Sequence, residues 1–499
     1  MKILNAQQTK EADQYTIDHE PISSINLMER ASNAFAQVFH DQINCTGKVH
    51  IFCGTGNNGG DGFAVGRILH HFGYKVQCYL VNFSSSLSED CIENQTKMDQ
   101  IQKVDILEGI GSIDIKAKDV IIDAIFGSGL DRSISGIHKT VIEYLNQLNN
   151  TKVALDTPSG LAIDKALDSI TFKADYTISF QLPKLAQLLP QHEKFVGKLI
   201  LADIGLHPSY LKEVKTNYHY LDDYFIKKAI YKRKPLFSHK GTNGHGLIIA
   251  GSQGKIGAAQ LAIKACIKSG SGLVSGFIPK FGHDIIQSQS PETMLHLDAK
   301  DYISNIYLDL SHYQGVGVGP GIDQRPETIK AFINLLRNAK QPIVIDADGI
   351  NIIANDAVMH RFIPKNSILS PHPGEFKRLV KGWKDEYERL EKQKDYAIKY
   401  QCYIILKGRN TSISTPEGHV YFNSTGNPGM ASAGSGDVLT GILTGLLAQG
   451  YNPLESSLLG TFIHGRAGDL ALAKESYESL IASDIINHLG QAFKSIQDE

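Results

Sequence analysis

A chain of 499 residues exceeds what one hydrophobic core usually organises, so length alone argues for two domains. With 42% apolar and 20% charged residues the composition is that of an ordinary globular protein. A net charge of −2 leaves no electrostatic footprint for nucleic acid or anionic lipid.

The opening "MKILNAQQTKEADQYT" is polar too early to be a secretory leader, and no apolar run reaches the ~18 residues of a membrane span. Six cysteines (Cys45, Cys53, Cys78, Cys91, Cys266, Cys402) are scattered without a C-x-x-C pair. They read as small buried side chains in a reducing, cytoplasmic setting, with no disulfide framework and no zinc site.

In the first half, "VHIFCG", "VQCYLV", "DVIIDAIFG", "KVALDTPSG", "YTISF" and "KLILADIG" read as strands. Their nearly unbroken apolar character fits parallel strands covered on both faces. Helical spacing between them, as in "FAVGRILHHFGY" and "VIEYLNQLNN", completes a βαβ rhythm. The rhythm fails around Leu206 to Lys240, a Lys- and Tyr-rich stretch without a clean strand. The domain boundary is expected there, near residues 215 to 225, separating a domain over 1–217 from one over 225–499. A second series follows: "GHGLIIAGS", "GLVSGFIP", "GVGVGPG", "PIVIDADG", "SILSPHPGE", "YIILKG" and "HVYFNSTG". The greasiest segment, "VLTGILTGLLAQG", is short and broken by Gly and Thr, as a buried helix would be.

After the first strand, "GTGNNG" (Gly54 to Gly59) satisfies G-x-G-x-x-G between a strand and a helix, as a dinucleotide turn requires. A dinucleotide site of that kind also needs an acid or an Arg at the end of the second strand. "VQCYLVNFSS" supplies neither, and the next acid is Glu89. What remains is an anion site, with Gly59 and Gly60 baring backbone N–H groups at a helix N-terminus. Asn57 and Asn58 add carbonyls suited to a hard cation. A plain tight turn is the competing reading. Asp123 in "VIIDAIFGSGL" and Asp156 in "VALDTPSGL" end two more strands, so these loops should converge beyond the strands' carboxyl ends. Each Asp alone could equally cap a helix.

In the second half, Gly434 and Gly436 of "ASAGSGDVLTG" open a helix with Asp437 in its first turn. The acid either caps that helix or acts as a base while the amides hold a transferring phosphoryl group. The sequence has no G-x-x-x-x-G-K-[ST] and no H-E-x-x-H. His372 in "SPHPGE" stands in a strand-end loop flanked by prolines, where a binding role outweighs a core role. Asp346 and Asp348 read as supporting or purely structural acids.

The motifs "GTGNNGGDGF", "DAIFGSGL", "DTPSGL" and "DIGL" resemble the NAD(P)HX epimerase family over nearly the whole first half. The G-S-G-D segment resembles ribokinase-like phosphotransferases. With "HKGTNGHGLIIAGSQGKIGAAQLAIKACIKSGSGLV", "VGVGPG", "IDADGIN", "SPHPGEFKRL" and "LKGRNT" it resembles the ADP-dependent NAD(P)HX dehydratase family. The fold implied is a Rossmann-like three-layer α/β/α domain followed by a ribokinase-like α/β domain. The activity implied is repair of hydrated NADH or NADPH. One half would interconvert R and S epimers, and the other would dehydrate the S form with ADP, leaving AMP and phosphate.

Carried over by motif, Asn57, Asn58, Gly59, Gly60 and Asp61 would hold the dinucleotide together with Gly127, Ser128, Gly129, Leu130, Asp131, Arg132 and Ser133. Asn58, Asp123 and Ser159 would surround K⁺, and Asp156 would act at the nicotinamide ring. Ala258, Gly321 and His372 would contact the hydrate in the second half, with Asp437 at its hydroxyl. Lys407, Gly408, Arg409, Asn410, Thr411, Gly434 and Gly436 would contact the adenine nucleotide, with Mg²⁺ on its phosphates. Two departures stand out: Thr157 where relatives carry an apolar residue, expected to be innocuous, and Asp323 where glycine is common. A homo-oligomer without nucleic-acid or membrane partners is expected. The competing reading is a small-molecule kinase carrying a nucleotide-binding N-terminal module.

Overall fold

The computed structural model describes residues 1–81, 86–107, 109 and 113–497. Residues 82–85, on which part of the dinucleotide test rests, lie outside the described residues. The chain folds as two units, Lys2–Thr216 and Asn217–Glu499, the latter joined by Met1.

In the first unit the strands are β1 (Lys48–Cys53), β2 (Lys75–Val81), β3 (Asp105–Leu107), β4 (Val120–Ala124), β5 (Thr151–Leu155), β6 (Tyr176–Phe180) and β7 (Lys198–Ala202). They form one parallel sheet in the order β3-β2-β1-β4-β5-β6-β7. Its helices include α1 (Ala6–His19), α2 (Ser24–Gln42), α3 (Asn57–His71), α4 (Glu89–Asp99) and α5 (Gly136–Gln147).

Because side chains alternate along a strand, each strand feeds two cores. Val49, Ile51, Ile122, Val153 and Leu155 pack with Phe35 and Phe39 of α2 and Phe63 of α3. Phe52, Ile121 and Ala154 pack on the other face with Val141 and Leu145 of α5. This is the three-layer α/β/α arrangement. Strand order reverses between β1 and β4, which brings the loops after them to the crevice where open α/β sheets bind ligands.

The second unit contains β8 (Tyr218–Leu221), β9 (His245–Ile249), β10 (Leu273–Pro279), β11 (Met294–Asp298), β12 (Gly315–Val318), β13 (Val344–Ile345), β14 (Ile368–Leu369), β15 (Tyr403–Leu406), β16 (Ser412–Ser414) and β17 (Val420–Asn423). The sheet order is β11-β10-β9-β12-β13-β14-β15-β16-β17-β8. Pairing is parallel from β11 to β15, antiparallel on both sides of β16, and parallel again between β17 and β8. Here the order reverses between β9 and β12.

β8 corrects the sequence reading, which saw no strand in this Lys- and Tyr-rich stretch. "YHYL" is four residues long and mostly half-buried, and it is defined by pairing with distant β17. The glycine-broken apolar segment is the buried helix Ser435–Ala448. Its glycines permit close packing on the helix Ile256–Lys268, since a Cβ at Gly441 would lie 2.1 Å from the Ala262 carbonyl oxygen.

Candidate active sites

In the first unit, the loops after β1, β4 and β5 meet α1 around a cavity of about 560 Å³. Asn57, Asn58, Asp61, Asp156 and the run Gly127 to Arg132 all line it. Gly59, Gly60, Ser133 and Ser159 do not.

The two glycines are absorbed by packing. A Cβ at Gly59 would lie 1.9 Å from the Gly54 carbonyl oxygen, and one at Gly60 would lie 3.0 Å from Met28 Sδ. The Gly60 N–H donates to the Gly56 carbonyl at 3.1 Å, so it is not bared for an anion as the sequence suggested. Ser133 Oγ donates to the Asp168 carbonyl at 2.8 Å, outside the cavity.

Asp156 is buried in a left-handed turn, at φ 62°, immediately after β5. Its Oδ1 is ion-paired with Lys184 and accepts from the Phe180 N–H at 3.0 Å and from Ser179 Oγ at 3.4 Å. Gln187 Nε2 donates to its backbone carbonyl at 2.7 Å. The carboxylate is therefore held from one side, leaving Oδ2 as the oxygen available to a ligand.

Lys184 is almost fully buried and lines the same cavity, as does Asp13 of α1. Neither was singled out from the sequence. Lys184 had a signal, a lone cation within the apolar "LPKLAQLLP", whereas Asp13 looks like any acid on the polar side of a helix. Burial and the neighbouring Asp156 charge push Asp13 up to about 6, opposed by Lys184. Asp61 is raised well above the carboxylate range by burial and by the Asp156 and Asp13 charges.

Beneath the cavity, buried Asp123 accepts from Ser159 N–H at 2.7 Å, Ser159 Oγ at 2.6 Å and Ile125 N–H at 3.2 Å. Burial pushes it up to about 6, because its partners are neutral donors and none is a cation. Asn58 Nδ2 is buried without a hydrogen-bond partner, and Asn58 Oδ1 faces Gly127, where a Cβ would come within 2.8 Å. A buried carboxylate lacking a counter-charge, beside an amide and a hydroxyl, is a donor set that fits a monovalent cation.

In the second unit Gly434 is the N-cap of Ser435–Ala448, with φ 90° that a side chain would not tolerate. A Cβ on Gly436 would lie 3.1 Å from Lys407 Nζ and 3.4 Å from Asp346 Oδ2. Asp346 is the organiser. Its Oδ1 takes Lys407 Nζ at 2.9 Å and its Oδ2 takes Thr440 Oγ1 at 2.9 Å. Asp346 thus ties the "LKGRNT" loop to the helix, a supporting role.

Asp437, one residue past Gly436, is pushed up to about 7, by burial first and then by Asp346, with Lys407 opposing. His464, half-buried and held down to about 4 by desolvation, lies 3.0 Å from the Ser435 carbonyl oxygen and braces the same helical turn. Among 19 histidines nothing in the sequence marked it.

Gly321, with φ 62°, packs against Ala258, where a Cβ would come within 3.3 Å of the Ala258 Cβ. This brings together the ends of the loops after β9 and β12. Asp323 itself adopts φ 73°, the conformation that makes glycine common there, and its carboxylate accepts from Gln324 N–H at 2.7 Å and Arg325 Nε at 3.1 Å. Asp348 accepts from Asp323 N–H at 3.0 Å and from Lys255 Nζ at 3.3 Å, fixing this loop.

His372 caps the helix Pro373–Val380 through Nδ1, which accepts from Gly374 N–H at 3.0 Å, and its side chain is half exposed. Burial, then Lys407 and Arg378, lower its pKa. Thr411 Oγ1 closes the Lys407–Thr411 turn onto the Gly408 carbonyl at 2.8 Å, leaving Gly408 and Arg409 exposed and Asn410 half-buried.

Two α/β units, the first with an acid-lined cavity and the second with Asp437 in the first turn of a glycine-opened helix, define a two-site enzyme acting on nucleotide-like substrates. A family described as YjeF-related protein N-terminus matches residues 24–186, and one described as NAD(P)H-hydrate dehydratase matches residues 246–490. The bifunctional NAD(P)H-hydrate repair enzyme of Moorella thermoacetica is 32% identical, covering 100% of this chain and 98% of its own. Those of Thermofilum pendens (30%; 100% and 97%) and Escherichia coli (30%; 93% and 88%) are similarly related.

The second unit is similar to a solved ADP/ATP-dependent NAD(P)H-hydrate dehydratase of Bacillus subtilis co-crystallised with ATP and Mg²⁺. The TM-score is 0.50 at 27% identity, covering 57% of this chain and 100% of that one. A ribokinase-like superfamily protein of Enterococcus faecalis gives 0.51 at 26%, covering 57% and 99%. The chain belongs to the family of bifunctional NAD(P)H-hydrate repair enzymes. No helix among the described residues is long and apolar enough to cross a membrane.

Proposed function

We propose that the first unit interconverts the R and S epimers of hydrated NADH and NADPH, and that the second dehydrates the S form using ADP. The observation that carries this reading is that each unit places an acid among candidate binding groups, Asp156 in the first and Asp437 in the second, on one chain whose relatives match it end to end. Asp156, clamped on Oδ1, offers Oδ2 to the hydroxyl at C6 of the hydrated ring.

In the second crevice Asp437 takes the proton of the same hydroxyl in the S epimer, and the oxygen attacks the β-phosphorus of ADP, releasing AMP. Loss of phosphate with a C5 proton then restores the C5–C6 double bond. Lys407, held by Asp346 beside Gly436, brings positive charge to the helix N-terminus where the transferring phosphoryl group would lie. The turn Lys407–Thr411 and Gly434 would border the nucleotide, and Ala258, Gly321 and His372 the hydrate.

Asn58, Asp123 and Ser159 would hold K⁺, which would supply the counter-charge Asp123 lacks and fasten the loop after β4. Mg²⁺ would travel with the nucleotide.

The test is to supply (S)-NADHX with Mg²⁺ and either ADP or ATP, following dihydronicotinamide absorbance, the spent nucleotide and free phosphate. Recovery of NADH with one AMP and one phosphate per turnover from ADP is expected. A phosphorylated product that accumulates without phosphate release would replace this reading with the small-molecule kinase.

A further inference from the structure

Breaking and remaking the C6 stereocentre by ring opening needs two groups at once, a base for the C6 hydroxyl and an acid for the ring nitrogen. Asp156, ion-paired with Lys184, has the environment of a base. The cavity lining holds three other carboxyls, Asp13, Asp61 and Asp131, and of these Asp13 and Asp61 feel the Asp156 charge directly.

Asp61 projects from the first turns of α3 into the cavity wall. Ser32 Oγ lies 3.5 Å from its carboxylate. The charges that bear on it most strongly are acidic: Asp156 after β5, Asp13 on α1 and Asp90 on α4. Cys91 on α4 is also close, pushed up to about 12 by burial and by Asp61. The lining carries four carboxyls, Asp13, Asp61, Asp131 and Asp156, against three cations, Lys10, Arg132 and Lys184. Lys184 is engaged by Asp156, and a proton on Asp61 relieves its repulsion with Asp156 and Asp13. Paired carboxyls whose environments push their protonation apart mark an acid and a base.

We propose that Asp61 is the acid of the epimerisation, partnering Asp156 as the base. The proposal rests on the epimerase reading of this crevice. Asp156 takes the C6 hydroxyl proton as the C6–N1 bond breaks. The hydroxyl oxygen forms the C6 carbonyl, the C6–N1 electron pair goes to N1, and Asp61 gives its proton to N1. The open aldehyde rotates about C5–C6 and presents its other face. N1 attacks and returns its proton to Asp61, while the alkoxide recovers the proton from Asp156. The cycle is redox-neutral and consumes nothing. Asp13 acts as a positioning residue, its charge helping to keep the proton on Asp61.

The experiment measures R-to-S conversion by full-length wild type and by Asp61→Asn, Asp61→Glu, Asp13→Asn and Asp156→Asn across pH, with thermal unfolding of each. Asp61→Asn is expected to lower kcat about a hundredfold or more, with KM nearly unchanged and the melting temperature retained. It should also abolish the fall in rate at high pH that marks ionisation of the acid. Asp61→Glu should retain that fall and recover part of the rate.

Asp61→Asn within about threefold of wild type, or a loss confined to KM with the pH profile intact, would overturn the proposal. So would an Asp13→Asn protein that alone lost the basic limb. If Asp156→Asn also converted R to S normally, the epimerase reading of the crevice would fail with it. If Asp156→Asn were inactive while Asp61→Asn were not, only the role of Asp61 would fall.

Discussion

Two polar residues, one in each unit, respond to burial in opposite ways. Thr157, beside Asp156, is fully buried and its Oγ1 has no hydrogen-bond partner. The hydroxyl expected to be innocuous therefore carries a desolvation cost of about 1–3 kcal/mol. Thr157→Val, which keeps the shape and removes the polar atom, should stabilise the first unit by about 1 kcal/mol, read as a rise in its melting temperature. An unchanged or lower value would mean the hydroxyl is satisfied.

Asp437 shows the benefit of burial. Pushed up to about 7, it is half protonated near neutrality, and only its carboxylate accepts a proton. Dehydration kcat/KM should therefore rise with pH through about 7 and then level. Asp346→Asn, which removes the like charge, should move that rise to lower pH while loosening Lys407. A profile flat from pH 5 to 9 would exclude Asp437 as the base. Asp437 and Asp156 were legible in the sequence because each stands beside glycines or prolines at a chain turn. Lys184, Asp13, Asp346 in its bridging role and His464 were not, because their partners lie tens to hundreds of residues away and only folding brings them together.

At the scale of elements, four of the five glycines from Gly54 to Gly62 (Gly54, Gly59, Gly60 and Gly62) matter for close approach. A Cβ at Gly62 would meet Ala124 Cβ at 2.6 Å and Cys53 Sγ at 2.7 Å, so α3 is pressed against β1 and β4. Gly59→Ala should destabilise the first unit by about 2 kcal/mol or more, since backbone must shift. Gly56→Ala, at an N-cap with open space around it, should cost under about 1 kcal/mol. Chemical denaturation of both variants checks this, and equal losses would contradict it. The long apolar strands were readable from composition. β3, β8, β11 and β16 were not, because each is short or exposed at a sheet edge, or exists only through its pairing.

The whole molecule is two units, each with its own core and its own reversal of strand order, and that division follows from length and the interrupted βαβ rhythm. The first unit's cores draw on residues between Leu4 and Val214. A fragment of residues 1–216 should therefore unfold cooperatively and interconvert the epimers without nucleotide. Non-cooperative melting would show that it depends on the remainder of the chain. Hydration of the ring yields both epimers, and a stereospecific dehydratase would strand one of them, which gives the fusion its chemical logic.

The most direct test presents the full chain with mixed NADHX epimers, K⁺, Mg²⁺ and ADP, and measures how much NADH returns in a short incubation. Complete recovery is expected from the wild type, recovery limited to the S portion when Asp156 is replaced by Asn, and none when Asp437 is replaced by Asn. Complete recovery by the Asp156 variant, or partial recovery by the wild type, would contradict it.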